Sequence, residues 1–326
     1  MLKDPAAPHH SQARGGPLQQ GRTAPPAWAV SRPGGRDALL MSVAVLGVSF
    51  SGPLTTLVAA SILAIAFWRN AAGAVLLLPV LLLRERATLT GLRPRQLASS
   101  LVAGLFLAAH FAAWLPSLSM TTVAASTALV TTTPIWTALA ARLSGVRLPA
   151  PVWWGLALAV LGAALIAGVD VAVSWEALAG DGLALLGAIC AGGYMLAGAR
   201  ARERLSTSAY AVVCYSVCAV ALALAALVAG VPLAGFSARD WWLIAAITFC
   251  AQLLGHTLLN LVLSSVGPTV VGLAVLLEVP GALLVALVLL DQVPPLLAVP
   301  GMVAVVIGVA LVIRASSSPT VTEPVT

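Results

Sequence analysis

Long apolar runs alternate along the chain with short clusters of charge, proline and small polar residues, and those clusters set the elements. A helix rises 1.5 Å per residue, so about 20 mostly apolar residues cross a hydrocarbon core. Punctuation at the polar clusters yields ten such runs, over 38–57, 60–83, 97–117, 121–142, 151–169, 181–200, 207–230, 240–262, 267–289 and 295–314. Residues 1–37 carry Pro5, Pro8, Pro17, Pro25, Pro26 and Pro33 among glycines and arginines, without an apolar run. They read as a disordered tail, and 315–326 as a short Ser/Thr/Pro tail of the same kind. No signal-peptide core precedes Ala38.

Composition then decides what surrounds these helices. Hydrophobic residues make up 60% of the 326 and charged residues 9%, whereas soluble domains hold about 25% charged residues. The outer solvent is therefore lipid, and the fold class expected is all-α and integral to the membrane. The net charge of +6 would suggest nucleic acid in a soluble protein. Here the basic residues sit between apolar runs and form no single patch, so a nucleic-acid partner is excluded. Cys190, Cys214, Cys218 and Cys250 all lie inside apolar runs and form no CxxC pair, which reads as small apolar side chains in helices.

Charge also orients the chain. With the N-terminus in the cytoplasm, every Lys and Arg except Arg69 and Arg239 falls in the tails or inner loops, among them Arg84, Arg86, Arg93, Arg95, Arg142, Arg147, Arg200, Arg202, Arg204 and Arg314. Asp170, Glu176, Asp181 and Asp291 fall outside. This satisfies the positive-inside rule and places both termini in the cytoplasm. Every basic residue but Lys3 is an arginine, a bias of GC-rich bacterial genomes that points to a cytoplasmic (inner) membrane.

A shift of 146 positions superposes the second half of the sequence on the first. His110 falls on His256, Ser119 on Ser265, Pro134 on Pro280, Pro149 on Pro295, Gly155 on Gly301 and Gly162 on Gly308. Asp37 falls on Asp181 at a shift of 144. The repeats expected are 38–170 and 181–314, five helices each. Because five is odd, the second copy enters the membrane the other way up. Inverted repeats of this kind are typical of secondary transporters, with the substrate near the midplane between the copies.

Several segments resemble the EamA-type transporters of the drug/metabolite transporter superfamily, which have ten helices in two inverted repeats. Ala64-Ile65-Ala66-Phe67-Trp68-Arg69-Asn70 resembles that family's second helix with its arginine. Ala124-Ala125-Ser126 through Pro134-Ile135-Trp136 resembles the fourth, and Leu277-Glu278-Val279-Pro280-Gly281-Ala282 the Glu-Pro segment of the ninth. The resemblance spans 38–314. It departs at the ends of the fourth and ninth helices, where the family often has Leu-Gly-Glu and this chain has Leu143-Ser144-Gly145 and Leu290-Asp291-Gln292. The resemblance implies export of amino acids, metabolites or toxic compounds and leaves the cargo open.

A charge at membrane depth costs about 2.5–3.5 kcal/mol even on the lenient insertion scale, so each polar residue inside a run is a functional candidate. Arg69 reads either as a clamp on neighbouring helices or as an anchor for an anionic group. Glu278, two residues before Pro280, reads either as a donor to the Leu276 carbonyl that proline leaves free or as a proton-coupling or substrate-amine site. On the eighth helix, spacings of four set Gln252, His256 and Asn260 on one face if that helix is regular. Opposite it stand His110 and an aromatic shelf of Trp114 and Phe106. Together they read as the polar wall of a central cavity for a small-molecule substrate. Thr131-Thr132-Thr133-Pro134 and Pro280 predict paired kinks in the fourth and ninth helices. Two histidines without a third ligand make no metal site. No cofactor motif, nucleotide-binding loop or nucleophile–base pair is visible. The reading is a secondary transporter working by alternating access. A non-transporting sensor or scaffold and an intramembrane enzyme are the alternatives. Nothing in the sequence speaks to oligomeric state.

Overall fold

The computed structural model describes residues 33–85, 94–121, 123–146, 148–167, 174–291, 293 and 298–315. Every regular element among them is helical: α1 (Gly35–Ser49), α2 (Ser51–Thr56), α3 (Ile62–Arg84), α4 (Pro94–Met120), α5 (Val123–Val130), α6 (Thr133–Leu143), α7 (Ala150–Ala167), α8 (Trp175–Arg202), α9 (Thr207–Val228) and α10 (Ala238–Ile247). A π-helical segment, Thr248–Thr257, then runs into α11 (Leu258–Val266), followed by α12 (Pro268–Val275), α13 (Glu278–Leu290) and α14 (Ala298–Ala315). The expected tails lie outside the described residues, except that the first helix already begins at Gly35 and the last still holds Ala315.

Among the described residues, eight helical stretches are long and apolar enough to cross a bilayer: Gly35–Thr56, Ile62–Arg84, Leu97–Met120, Trp175–Arg202, Thr207–Val228, Ala238–Val266, Pro268–Leu290 and Ala298–Ala315. Ala150–Leu165 is a shorter apolar helix. The run expected over 121–142 is divided into α5 and α6, of 8 and 11 residues, each too short to cross alone. The surface carries Leu76, Val220, Leu227, Val288 and Ile307, whereas Arg69, Asn70, Gln252 and Glu278 are buried. This inversion of a soluble protein is what lipid as the outer solvent demands.

Local chemistry accounts for where the helices start and break. Ser174, Ser206 and Ser237 cap α8, α9 and α10, each side chain accepting a backbone N–H three residues on. Between α5 and α6, Pro134 cannot donate to the carbonyl of Val130, and the Thr133 hydroxyl donates to it instead at 2.8 Å. Between α12 and α13, the Leu276 carbonyl that Pro280 leaves free accepts the Val279 N–H at 3.2 Å. Glu278 therefore does not serve as its donor, because a tightened turn of backbone already fills the vacancy.

The two halves pack as rotated copies of each other. α3 lies against α9, its equivalent. α4 against α8 corresponds to α1 against the π segment and α11. The clearest mark is the crossing of α7 and α14. A Cβ on Gly155 would stand 2.7 Å from the Gly308 carbonyl oxygen, and one on Gly308 would stand 2.5 Å from that of Gly155. A Cβ on Gly162 would stand 2.6 Å from the Gly301 oxygen. In the repeat, Gly155 is equivalent to Gly301 and Gly162 to Gly308. Each glycine thus meets the equivalent of the other, the exchange a two-fold axis imposes. Small residues let the backbones approach this closely.

Candidate functional site

Between the halves lies a cavity of about 670 Å³, a volume that includes space open to the outside. From the first half it is lined by Val48 and Ser51 at the α1–α2 junction, His110 and Trp114 on α4, and Val130, Thr131 and Thr133 around the α5–α6 break. The second half contributes Ala191, Tyr194 and Met195 on α8, then His256, Leu259, Asn260 and Leu263 along the π segment and α11. Val271 and Val275 on α12 and Glu278 at the start of α13 complete it. Equivalent helices of the two repeats supply the walls, and α3, α7, α9 and α14 contribute none. Both helix breaks flanking Pro134 and Pro280 open onto this space.

The sequence-predicted residues divide into two groups. His110, Trp114, His256, Asn260 and Glu278 line the cavity together. His110 Nδ1 lies 3.0 Å from the Gly187 carbonyl oxygen. A carbonyl only accepts, so Nδ1 carries the proton in that bond and Nε2 is left over. The His110 ring stacks on Trp114 at 5.5 Å. His256 presents its ring to the edges of Phe111 and Tyr194 at 5.7 and 6.1 Å. Asn260 accepts from the Tyr194 hydroxyl at 2.6 Å and donates to Tyr215 at 3.2 Å. Tyr215 in turn lies 3.1 Å from the Thr257 hydroxyl, which donates to the Gln252 carbonyl at 3.0 Å. Because Thr257 spends its proton on that carbonyl, Tyr215 donates to Thr257 and can only accept from Asn260, which fixes the orientation of the amide.

Arg69 and Gln252 belong to a second layer outside the cavity wall. Arg69 is 0% exposed. Its Nε donates to Gln252 Oε1 at 3.0 Å, its Nη1 to Ser51 Oγ at 2.9 Å, and its guanidinium lies 4.6 Å over the Phe111 ring. Gln252 Nε2 donates to Asn70 Oδ1 at 3.0 Å, and Asn70 Nδ2 to the Ala66 carbonyl at 2.9 Å. The single polar face expected for Gln252, His256 and Asn260 is thus not formed. Its first member is consumed by α3, and the i→i+5 bonding of Thr248–Thr257 replaces the α register on which that expectation rested. Phe106 does not join the shelf either. It is 38% exposed and absent from the lining, and it covers Gly193 from the outer side of α4, where a Cβ would meet it at 2.7 Å.

Tyr194 and Ser51 are site residues that the sequence reading missed. Both stand uncharged inside apolar runs, so the sequence carried no signal for either. Among the described residues no group of three or more His, Cys, Asp or Glu could hold a metal ion. The arrangement suits binding: an apolar chamber with a few convergent polar groups.

The chain belongs to the EamA-like transporter family, which matches residues 36–168 and 178–314. It matches in two copies, in agreement with the drug/metabolite transporter resemblance of the sequence. No curated protein matches it. A solved crystal structure of a protein is similar over 85% of this chain and 96% of its own, with 19% sequence identity and a TM-score of 0.68. At that identity the likeness shows a shared fold.

Proposed function

We propose that this protein is a secondary transporter that carries a small organic compound across the membrane by exposing the cavity between its repeats alternately to each side. The supporting observation is the symmetry of the lining, with equivalent helices of two inverted halves enclosing one polar-flecked chamber. Two inverted copies make inward-open and outward-open states close in energy, and exchange of conformation between the halves converts one into the other. The breaks at Thr131–Thr132 and Leu276–Leu277, beside the cavity, supply bending points. In this reading the chain crosses the membrane ten times, with α5 and α6 together making one crossing and α7 another. The bias of Lys and Arg puts both termini in the cytoplasm of a bacterial cell. Net movement is export, as the family resemblance implies.

His110, Trp114, His256 and Asn260 bind the cargo, and Glu278 binds cargo or a coupling proton. Arg69 and Gln252 support the wall from behind. The test is flux in proteoliposomes against a broad metabolite panel, comparing wild type with His256→Ala and Glu278→Gln. Transport of at least one compound by wild type, lowered tenfold or more in either variant, is the expected result. Flux unchanged in both variants removes the site while sparing the fold, and no flux of any compound removes the function.

A further inference from the structure

We propose that the cargo is an organic cation, a protonated amine attached to an aromatic or otherwise apolar body. This deepens the transport reading and rests on the same cavity.

Glu278 carries the argument. It is the only acidic residue in the lining, it is 7% exposed, and among the described residues its carboxyl makes no hydrogen bond and no ion pair within 4 Å. Buried carboxylates ordinarily find a donor. The backbone vacancy beside it is filled by Val279, so the side chain is not needed to heal the helix break. Its position in the first turn of α13 favours negative charge through the helix dipole, and the residue lines the cavity. The remaining walls suit the body of such a ligand. Trp114 and Tyr194 add aromatic rings to the lining, and aromatic rings attract cations. Val130, Met195, Leu263 and Val275 offer apolar surface.

Arg69 is the counter-argument, since its charge favours an anion. It is absent from the lining, its Nε and Nη1 are taken by Gln252 and Ser51, its plane lies over Phe111, and its Nη2 is buried without a partner. Glu278 lines the cavity itself, whereas Arg69 stands behind the lining residue Ser51. Coulomb energy falls with distance, so the contacting carboxylate sets the preferred sign.

Three indoles that differ in charge test this on the purified full-length protein by isothermal titration calorimetry: tryptamine, neutral tryptophol and anionic indole-3-acetate. Tryptamine is expected to bind at least tenfold more tightly than the other two. Glu278→Gln should abolish the gap between tryptamine and tryptophol, and Glu278→Asp should retain a gap. Monodisperse elution of the variants in size-exclusion chromatography shows that they are folded. Indole-3-acetate binding as tightly as tryptamine, a gap that survives Glu278→Gln, or no binding by any of the three overturns the proposal. Flux separates this from the transport reading. Transport of indole-3-acetate but not tryptamine sinks the cation class alone. Tryptamine binding without flux of any compound sinks transport alone.

Discussion

Substitution at the α7–α14 crossing gives the sharpest test of the two-fold architecture. In Gly308→Ala, the new Cβ would stand 2.5 Å from the Gly155 carbonyl oxygen, 2.6 Å from the Ala159 nitrogen and 2.7 Å from the Ala159 Cβ. Nonbonded carbon contacts settle at about 3.5 Å or beyond, so the helices must part by roughly 1 Å. Two of the three obstructing atoms are backbone, which cannot rotate aside. Overpacking of this kind costs about 1–3 kcal/mol, and the gain in helix propensity from Gly to Ala returns up to about 1 kcal/mol. The difference is a net loss of about 0–2 kcal/mol, at its upper end here because the obstruction is mostly backbone. Gly155→Ala pushes on the same point, against the Gly308 oxygen at 2.7 Å. Once the helices have parted for one methyl, the second costs less. The double variant should therefore fall short of the sum by about 0.5 kcal/mol or more. Gly182→Ala on α8, where nothing lies within 4 Å of the added Cβ, is the control and should be neutral or slightly stabilising. Reversible unfolding in mixed detergent micelles measures all four. Strict additivity of Gly155→Ala and Gly308→Ala, or a neutral Gly308→Ala, would refute the crossing as described.

Three further outcomes follow from the same geometry. Gln252→Leu should destabilise more than Arg69→Met. The first strands a buried guanidinium Nε and the Asn70 oxygen, the second only neutral acceptors, and bonds to charged groups contribute about 1.5–3 kcal/mol against about 1 for neutral ones; micelle unfolding checks the order. Tyr194→Phe removes the 2.6 Å donor to Asn260 and should cost about 0.5–1.5 kcal/mol, with little further loss when combined with Asn260→Ala, a coupling that a double-mutant cycle reads directly. Pro134→Ala restores the missing N–H at the α5–α6 break, and should slow flux severalfold at normal expression if bending there gates the cavity; unaltered flux would count against that role.

Much of this arrangement was legible in the sequence because a repeat supplies two views of one structure. The shift that superposed His110 on His256 also paired Gly155 with Gly301 and Gly162 with Gly308, and these glycines meet crosswise. Kinks were legible at Pro134 because a missing N–H is local chemistry, and the adjacent threonine that heals it is next in sequence. Three features were not legible. Gln252 sits in a π segment, where spacing rules for an α-helix lose their register. Whether Arg69 faces the cavity or Gln252 depends on how α3 meets the segment packed against it, and no local pattern encodes that. Tyr194 lay in an apolar run without a charge to draw attention.

The central claim is that one cavity is reached from each side of the membrane in turn, and accessibility of a single cysteine tests it most directly. Ala191 lines the cavity and is small, so Ala191→Cys, with Cys190, Cys214, Cys218 and Cys250 replaced by alanine, puts one thiol at the proposed site. The variant is oriented in sealed vesicles and treated with a membrane-impermeant maleimide from one side or the other. The account predicts labelling from both sides, and protection from both by a transported compound. Labelling from one side only, with or without that compound, would contradict it.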